Sequence, residues 1–328
     1  MHPFTLERPA DLAGAISFAG HGTEYIAGGT DMMQLLTDHI SRPDRLVAIG
    51  NGVLDDRIEL REDGRLWLGA GARMADVADH PLVRERFPAI SQSLLLSASA
   101  QVRNMATIGG NLLQRTRCPY FRDIGFHACN KRDPGTGCAA MDGENRMLAV
   151  FGTSDYCIAT NPSDLAVALV ALDALVYITG PNETRTVPLE QFHRLPADSP
   201  HIETVLERGE LITGVEVPAS ASARISHYLK VRDRTSFEFA LVSAAVALDV
   251  QDGLIREARI AMGGVGTKPW RMHRAEGALV GARNEAESYR VAAERSIEGA
   301  SPREGNAFKL ELMKRTLVRA LQNTGSPS

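Results

Sequence analysis

Outside one window of about forty residues, this 328-residue chain contains no cysteine. Aromatic residues make up only 5% of it, which argues against a surface built to stack nucleic-acid bases. No apolar run approaches the roughly 18 residues that a membrane-spanning helix needs. Charge of either sign is not in excess: the net value is −4 and the isoelectric point lies near 6.2. That removes the bulk electrostatic case for nucleic acid. The first twenty residues lack a basic start followed by an apolar run, so no signal segment of its own is expected. The nine histidines form neither H-x-x-x-H nor H-E-x-x-H, so a mononuclear catalytic metal is not expected. Ser97 and Ser243 sit in apolar contexts without G-x-S-x-G, which leaves a serine hydrolase unsupported.

What is present is concentrated. Cys118, Cys129, Cys138 and Cys157 lie in a stretch rich in Pro, Gly, Arg and Asp, the composition of an ordered irregular loop. Thiols gathered without a regular core around them suggest a metal centre. There is no C-x-x-C, which disfavours a zinc knuckle. Four well-separated ligands fit a [4Fe-4S] cluster, which needs four thiolates and imposes no single spacing. Zinc, plain buried thiols and disulfides in an oxidising compartment remain open alternatives.

The length suggests two domains. In the first, helices are expected over 9–19 and 32–40, on both sides of Pro81 and Pro88 over 74–99, and over 163–172, where Ser163 supplies the cap. Strands are expected at 24–27, 45–49, 57–61, 66–70 and 173–180. Asp31 or Thr30 is placed to cap the second helix. A Pro/Ala/Ser linker at 218–224 reads as a boundary. Beyond it come strands at 225–232, 239–250 and 255–266, then helices over 284–298 and 302–322. The pattern is a small α+β unit of antiparallel strands with helices on one face.

Two glycine turns each adjoin the end of an element: Gly28-Gly29-Thr30-Asp31 and Thr107-Ile108-Gly109-Gly110-Asn111. Such turns aim backbone N–H groups at one point, where a phosphate can sit. Neither is a Rossmann fingerprint or a P-loop, but two together could clamp a dinucleotide. Gly263-Gly264-Val265-Gly266 reads as a structural turn after a strand.

These motifs occur in a recognisable order. Ala27–Asp31, Thr107–Asn111, Ser163-Asp164-Leu165, Lys230–Arg234 with Phe239-Ala240, and Lys268-Pro269-Trp270-Arg271 resemble the FAD-binding subunits of the xanthine oxidase family of molybdenum hydroxylases. The resemblance covers nearly the whole chain. In most relatives the second glycine turn runs almost directly into Ser-Asp; here about forty residues intervene, with all four cysteines. That segment resembles the iron–sulfur insert of the flavoprotein subunit of bacterial periplasmic-type aldehyde oxidoreductases.

The resemblance implies an α+β fold. An FAD-binding domain of the PCMH/vanillyl-alcohol-oxidase type, with two subdomains, would span 1–218 with an insert at about 115–158. A C-terminal flavoprotein domain would span 222–328. It implies that Ile26, Ala27, Gly28, Gly29, Thr30, Asp31 and Met32, with Thr107, Gly109, Gly110 and Asn111, hold the FAD pyrophosphate. Asp164, with Ser163 beside it, would accept hydrogen bonds from FAD hydroxyls, and Lys230 would lie near the flavin ring. Cys118, Cys129, Cys138 and Cys157 would ligate a [4Fe-4S] cluster. No catalytic acid or base is expected on this chain.

The implied function is electron transfer within a molybdenum-dependent aldehyde oxidoreductase. The implied partners are a large molybdopterin-binding subunit, a small ferredoxin-like [2Fe-2S] subunit and an external electron acceptor. Other readings are a subunit of a 4-hydroxybenzoyl-CoA reductase or of a xanthine or N-heterocycle hydroxylase. From a different class comes a zinc-stabilised interaction subunit. The expected compartment is the cytoplasm, or the periplasm by co-export with a partner bearing a Tat signal.

Overall fold

The computed structural model describes residues 1–50 and 52–325. Three sheets organise them. The first is small and parallel: β1 (Thr5–Glu7) and β2 (Thr23–Ile26) flank β3 (Arg45–Ala48). The second is antiparallel, in the order β4-β5-β8-β6-β7. Its strands are β4 (Ile58–Leu60), β5 (Leu66–Gly69), β6 (Leu175–Thr179), β7 (Thr184–Pro188) and β8 (Leu211–Val217). The third is antiparallel, in the order β12-β11-β10-β9, with β9 (Ser226–Val231), β10 (Val242–Gln251), β11 (Leu254–Gly263) and β12 (Trp270–Arg271). The helices His273–Leu279, Ala286–Ser296 and Phe308–Gly325 pack with this last sheet and with one another.

Helix Asp164–Ala171 sits at the junction of the two larger layers. All eight of its residues are buried. It packs against β10 and β11 and against helix Pro88–Leu95. Its sequence, DLAVALVA, is apolar all round after the first residue, as a helix enclosed on every side must be. Ser163 caps it, accepting from the Ala166 N–H at 3.0 Å.

Several sequence expectations need correction. Residues 218–224 are not a loose linker. Ser220 caps a short helix, Ala221–Arg224, whose Ser222 and Ala223 are buried. Strand β8 escaped notice although it is central to its sheet. Its Gly214 weakens a strand reading, yet a Cβ there would lie 2.2 Å from the Trp67 ring. Trp67 on β5 covers that glycine across the sheet, which is why a side chain is missing. β1, β7 and helix His273–Leu279 were also not anticipated. Asp31 occupies the N-cap position of helix Met32–Thr37, but its side chain makes no cap bond.

The cysteine-bearing insert has its own small core, with Leu35 packed among Cys118, Cys129, Cys157 and Phe121. It is mostly irregular, with one short helix, Pro119–Arg122. Its exit is anchored in the C-terminal layer. The Val150 and Phe151 N–H groups both donate to Val265 O, at 2.8 and 3.0 Å. The Gly263–Gly266 turn is therefore the structural turn anticipated. Lys309 is fully buried and donates to Leu148 O at 2.9 Å and Gly264 O at 2.6 Å, closing the same junction.

Burial brings the Lys309 ammonium down to about 7 from the 10.5 of an unfolded chain. Between those values the unfolded chain holds more protons, so this group makes stability rise with pH across that window. Lys309→Met removes the effect. Denaturant unfolding at pH 7 and pH 9 should show the wild type gaining on the variant at the higher pH. An equal difference at both pH values would refute this origin.

Candidate functional site

A long cleft runs along the ends of β2, the second glycine turn, residues 206–212 and the 237–239 segment of the C-terminal layer. It offers about 2200 Å3 of space open to solvent. Of the fourteen residues expected to bind the cofactor, thirteen line it: Ile26–Met32, Thr107, Gly109, Gly110, Asn111, Asp164 and Lys230. Ser163 does not. It is buried behind the cleft, donating to Asn111 Oδ1 at 2.6 Å and capping its helix.

The two glycine turns touch. A Cβ on Gly28 would fall 1.9 Å from Met105 O, just before the second turn. Gly29 has φ +72°, left-handed backbone that favours glycine. The turns differ in what they offer. No described residue accepts from the backbone N–H groups of Gly28, Gly29, Thr30 or Asp31. In the second turn those groups are already spent. Ile108 N donates to Ala72 O, Gly109 N to Ala70 O, Gly110 N to Thr107 Oγ1 and Asn111 N to Thr107 O. Of the two turns, the first is thus the one with backbone N–H groups left to offer an anion. The second contributes shape, exposed Gly110 backbone and the Thr107 hydroxyl proton.

Asp164 and Lys230 do face the cleft, but as partners of each other. Lys230 Nζ lies 2.7 Å from Asp164 Oδ2, with the side chains 1% and 6% exposed. Ser97 Oγ donates to the same oxygen at 3.0 Å, and Tyr228 OH donates to Oδ1 at 2.5 Å. Lys230 also donates to Leu96 O at 3.1 Å. Burial and the Asp164 charge push the Tyr228 phenol well above its ordinary range, so it stays a donor. Asp164 already accepts three hydrogen bonds, and its carboxylate neutralises Lys230. Lys230, expected to bring a positive charge, is therefore one half of an ion pair.

Asp31 turns its side chain away from the first glycine turn toward the insert. It accepts from the Arg115 N–H at 2.8 Å, from Arg122 at 2.8 Å and from Arg117. Burial opposes its ionisation, but Arg117 and Arg122 outweigh that and hold it below the ordinary carboxylate range. Arg117 also lies over the Phe239 ring, 5.1 Å from its centre. Phe237 and Phe239 are 64% and 40% exposed and line the cleft mouth. Arg146 of the insert pairs with Asp233 at 2.7 and 2.9 Å and steadies the same segment. No sequence signal marked residues 206–212, or Arg115 and Arg117 of the insert, as cleft residues; only folding brings them there.

All four cysteines line one small cavity. Cys118, Cys129 and Cys157 are buried and Cys138 is partly so. Burial raises the Cys118 thiol to about 12 and also raises Cys138 and Cys157. Such thiols ionise readily only against a bound cation. Among the described residues, no three His, Cys, Asp or Glu groups converge on a single-ion position. Leu35 packs in the cysteine core and also lines the cleft, so one side-chain layer separates the two sites.

Removing one member of the buried pair leaves the other charge uncompensated, which costs about 3–5 kcal/mol. Asp164→Ala should lose that much in denaturant unfolding, and Asp164→Leu combined with Lys230→Met should recover most of it. A loss below about 1 kcal/mol would mean that the pair is not holding the layers together.

Known proteins share this fold. Residues 2–220 match the FAD binding domain in molybdopterin dehydrogenase, and residues 227–324 match the CO dehydrogenase flavoprotein C-terminal domain. The aldehyde oxidoreductase FAD-binding subunit PaoB of Escherichia coli K12 is 44% identical over 324 residues, covering 98% of each chain. The glyceraldehyde dehydrogenase medium chain of Sulfolobus acidocaldarius is 25% identical over 86% of this chain and 83% of its own. Among solved structures, quinoline 2-oxidoreductase from Pseudomonas putida 86 superposes with a TM-score of 0.76 at 25% identity, covering 99% of this chain and 98% of that one. Matched family domains over almost all its length, and a cleft that fits them, show that the chain belongs to the FAD-binding oxidoreductase subunits of the molybdenum hydroxylase family.

Proposed function

We propose that the chain is the FAD- and [4Fe-4S]-carrying electron-transfer subunit of a molybdenum-dependent aldehyde oxidoreductase. The first glycine turn carries this reading, because its unspent N–H groups open on a cleft large enough for a dinucleotide. Bound there, FAD would supply the chemistry that couples one- and two-electron carriers. The chain's own residues bind and orient. Gly28–Asp31 would take the pyrophosphate, and Thr107 would donate its hydroxyl proton. The Asp164–Lys230 pair would present a neutral polar floor, and Phe237 and Phe239 would limit solvent at the mouth. No side chain in the cleft is assigned as a catalytic acid or base. Substrate oxidation belongs to a molybdenum cofactor on a large partner, with a small [2Fe-2S] subunit between the two and an external acceptor beyond. Among the described residues, no helix is long and apolar enough to cross a membrane.

The aldehyde assignment is supported by the 44% identical relative, which is an aldehyde oxidoreductase subunit. The cluster assignment is supported by the donor set. Four cysteines around one cavity are the ligands a [4Fe-4S] centre uses, each on a different iron.

The purified chain should show resolved flavin bands with a broad brown shoulder that bleaches on reduction. A colourless chain containing zinc would overturn the assignment. In Gly110→Val the new Cβ would stand 3.0 Å from Thr107 Oγ1 and fill the cleft beside it. This variant should lose flavin while keeping its iron; loss of both together would mean that the turn is only structural.

A further inference from the structure

The cysteine cavity has one charged side chain in its lining among the described residues, that of Lys131. Lys131 is only 11% exposed. Its Nζ donates to Glu203 Oε1 at 2.7 Å and to Pro200 O at 2.9 Å. The other Glu203 oxygen accepts from Arg115 Nε at 2.6 Å. Burial works against ionisation of Glu203, but Arg115 and Lys131 outweigh it and hold the carboxyl below its ordinary range. Two cations on one carboxylate leave one net positive charge, and Lys131 is the one of the two that belongs to the cavity lining. Glu203 lies across the chain from the insert, so the 193–204 segment fixes where that charge stands.

Reduction makes a four-thiolate iron–sulfur centre one charge more negative. A fixed cation nearby stabilises the reduced form more than the oxidised form, and a fixed carboxylate does the reverse. We propose that Lys131, held in place by Glu203, is a positioning residue that raises the reduction potential of the metal centre in the cysteine cavity. This inference rests on the iron–sulfur reading above. The step it concerns is the uptake of one electron by the centre from an added reductant such as dithionite; no covalent bond and no proton moves.

The test is a potentiometric titration of the full chain, followed by visible absorbance and electron paramagnetic resonance. Lys131→Gln should shift the reduced-to-oxidised ratio about tenfold toward the oxidised form, a fall of about 59 mV for one electron. Glu203→Gln removes the offsetting negative charge and should raise the midpoint. Lys131→Arg should stay near the wild type. Opposite shifts from opposite charge changes are what a merely structural role would not produce. If Lys131→Gln fails to keep its iron, the upward shift in Glu203→Gln is still required. Unmoved midpoints with iron retained, or shifts of both variants in the same direction, would overturn the inference and leave the iron–sulfur reading standing. A wild-type chain without iron would overturn both.

Discussion

The carboxylate of Asp164 and the ammonium of Lys230 meet almost fully buried, 2.7 Å apart. Much of the architecture follows from that pair. Asp164 opens the helix on which the two larger layers meet, and Lys230 belongs to the C-terminal sheet. A buried ion pair gains little over an apolar contact but is costly to break, so it fixes relative position more than it adds net stability. Ser97, Tyr228 and Leu96 complete the hydrogen bonds of both charges. The same group of atoms forms part of the cleft wall. The junction of the layers and the wall of the proposed cofactor site are one structure.

Asp31 plays the corresponding part on the other side. A residue at that position would ordinarily cap the helix that follows it. Here its carboxylate instead gathers the Arg115 backbone, Arg117 and Arg122. Helix Met32–Thr37 goes without a side-chain cap; its Met33 and Gln34 N–H groups turn back to Gly29 O and Asp31 O, so the unspent N–H groups are those of the turn before it. The insert receives an anchor beside the cleft. Leu35, one turn along, packs among the cysteines. The first glycine turn and the cysteine cavity are thus parts of one packed unit.

The legible parts of this chain were those where local physics leaves few choices. Gly28 and Gly29 stood out as a glycine pair at the end of a strand, and the structure gives the local reason for them: one has no room for a Cβ and the other has positive φ. The Asp164 helix was legible because Ser163 caps an all-apolar run. β8 was not, since the reason for Gly214 is the Trp67 ring on a neighbouring strand, far away in sequence. The 218–224 segment looked like a linker by composition, yet it forms a short helix with two of its small residues, Ser222 and Ala223, buried.

The sequence by itself determined that thirteen of the expected cofactor residues would come to one cleft and that the four cysteines would come to one cavity. Residue type and order were enough for that, because glycine and cysteine are kept for what only they can do. Only the tertiary structure decided how those residues are used. Whether an N–H is free depends on which carbonyl lies opposite it, and the second turn spends its N–H groups on Ala70, Ala72 and Thr107. Whether Lys230 presents a charge depends on Asp164, more than sixty positions away in the chain. Hydrogen bonds and ion pairs act over about 3 Å, and sequence distance carries no information at that range.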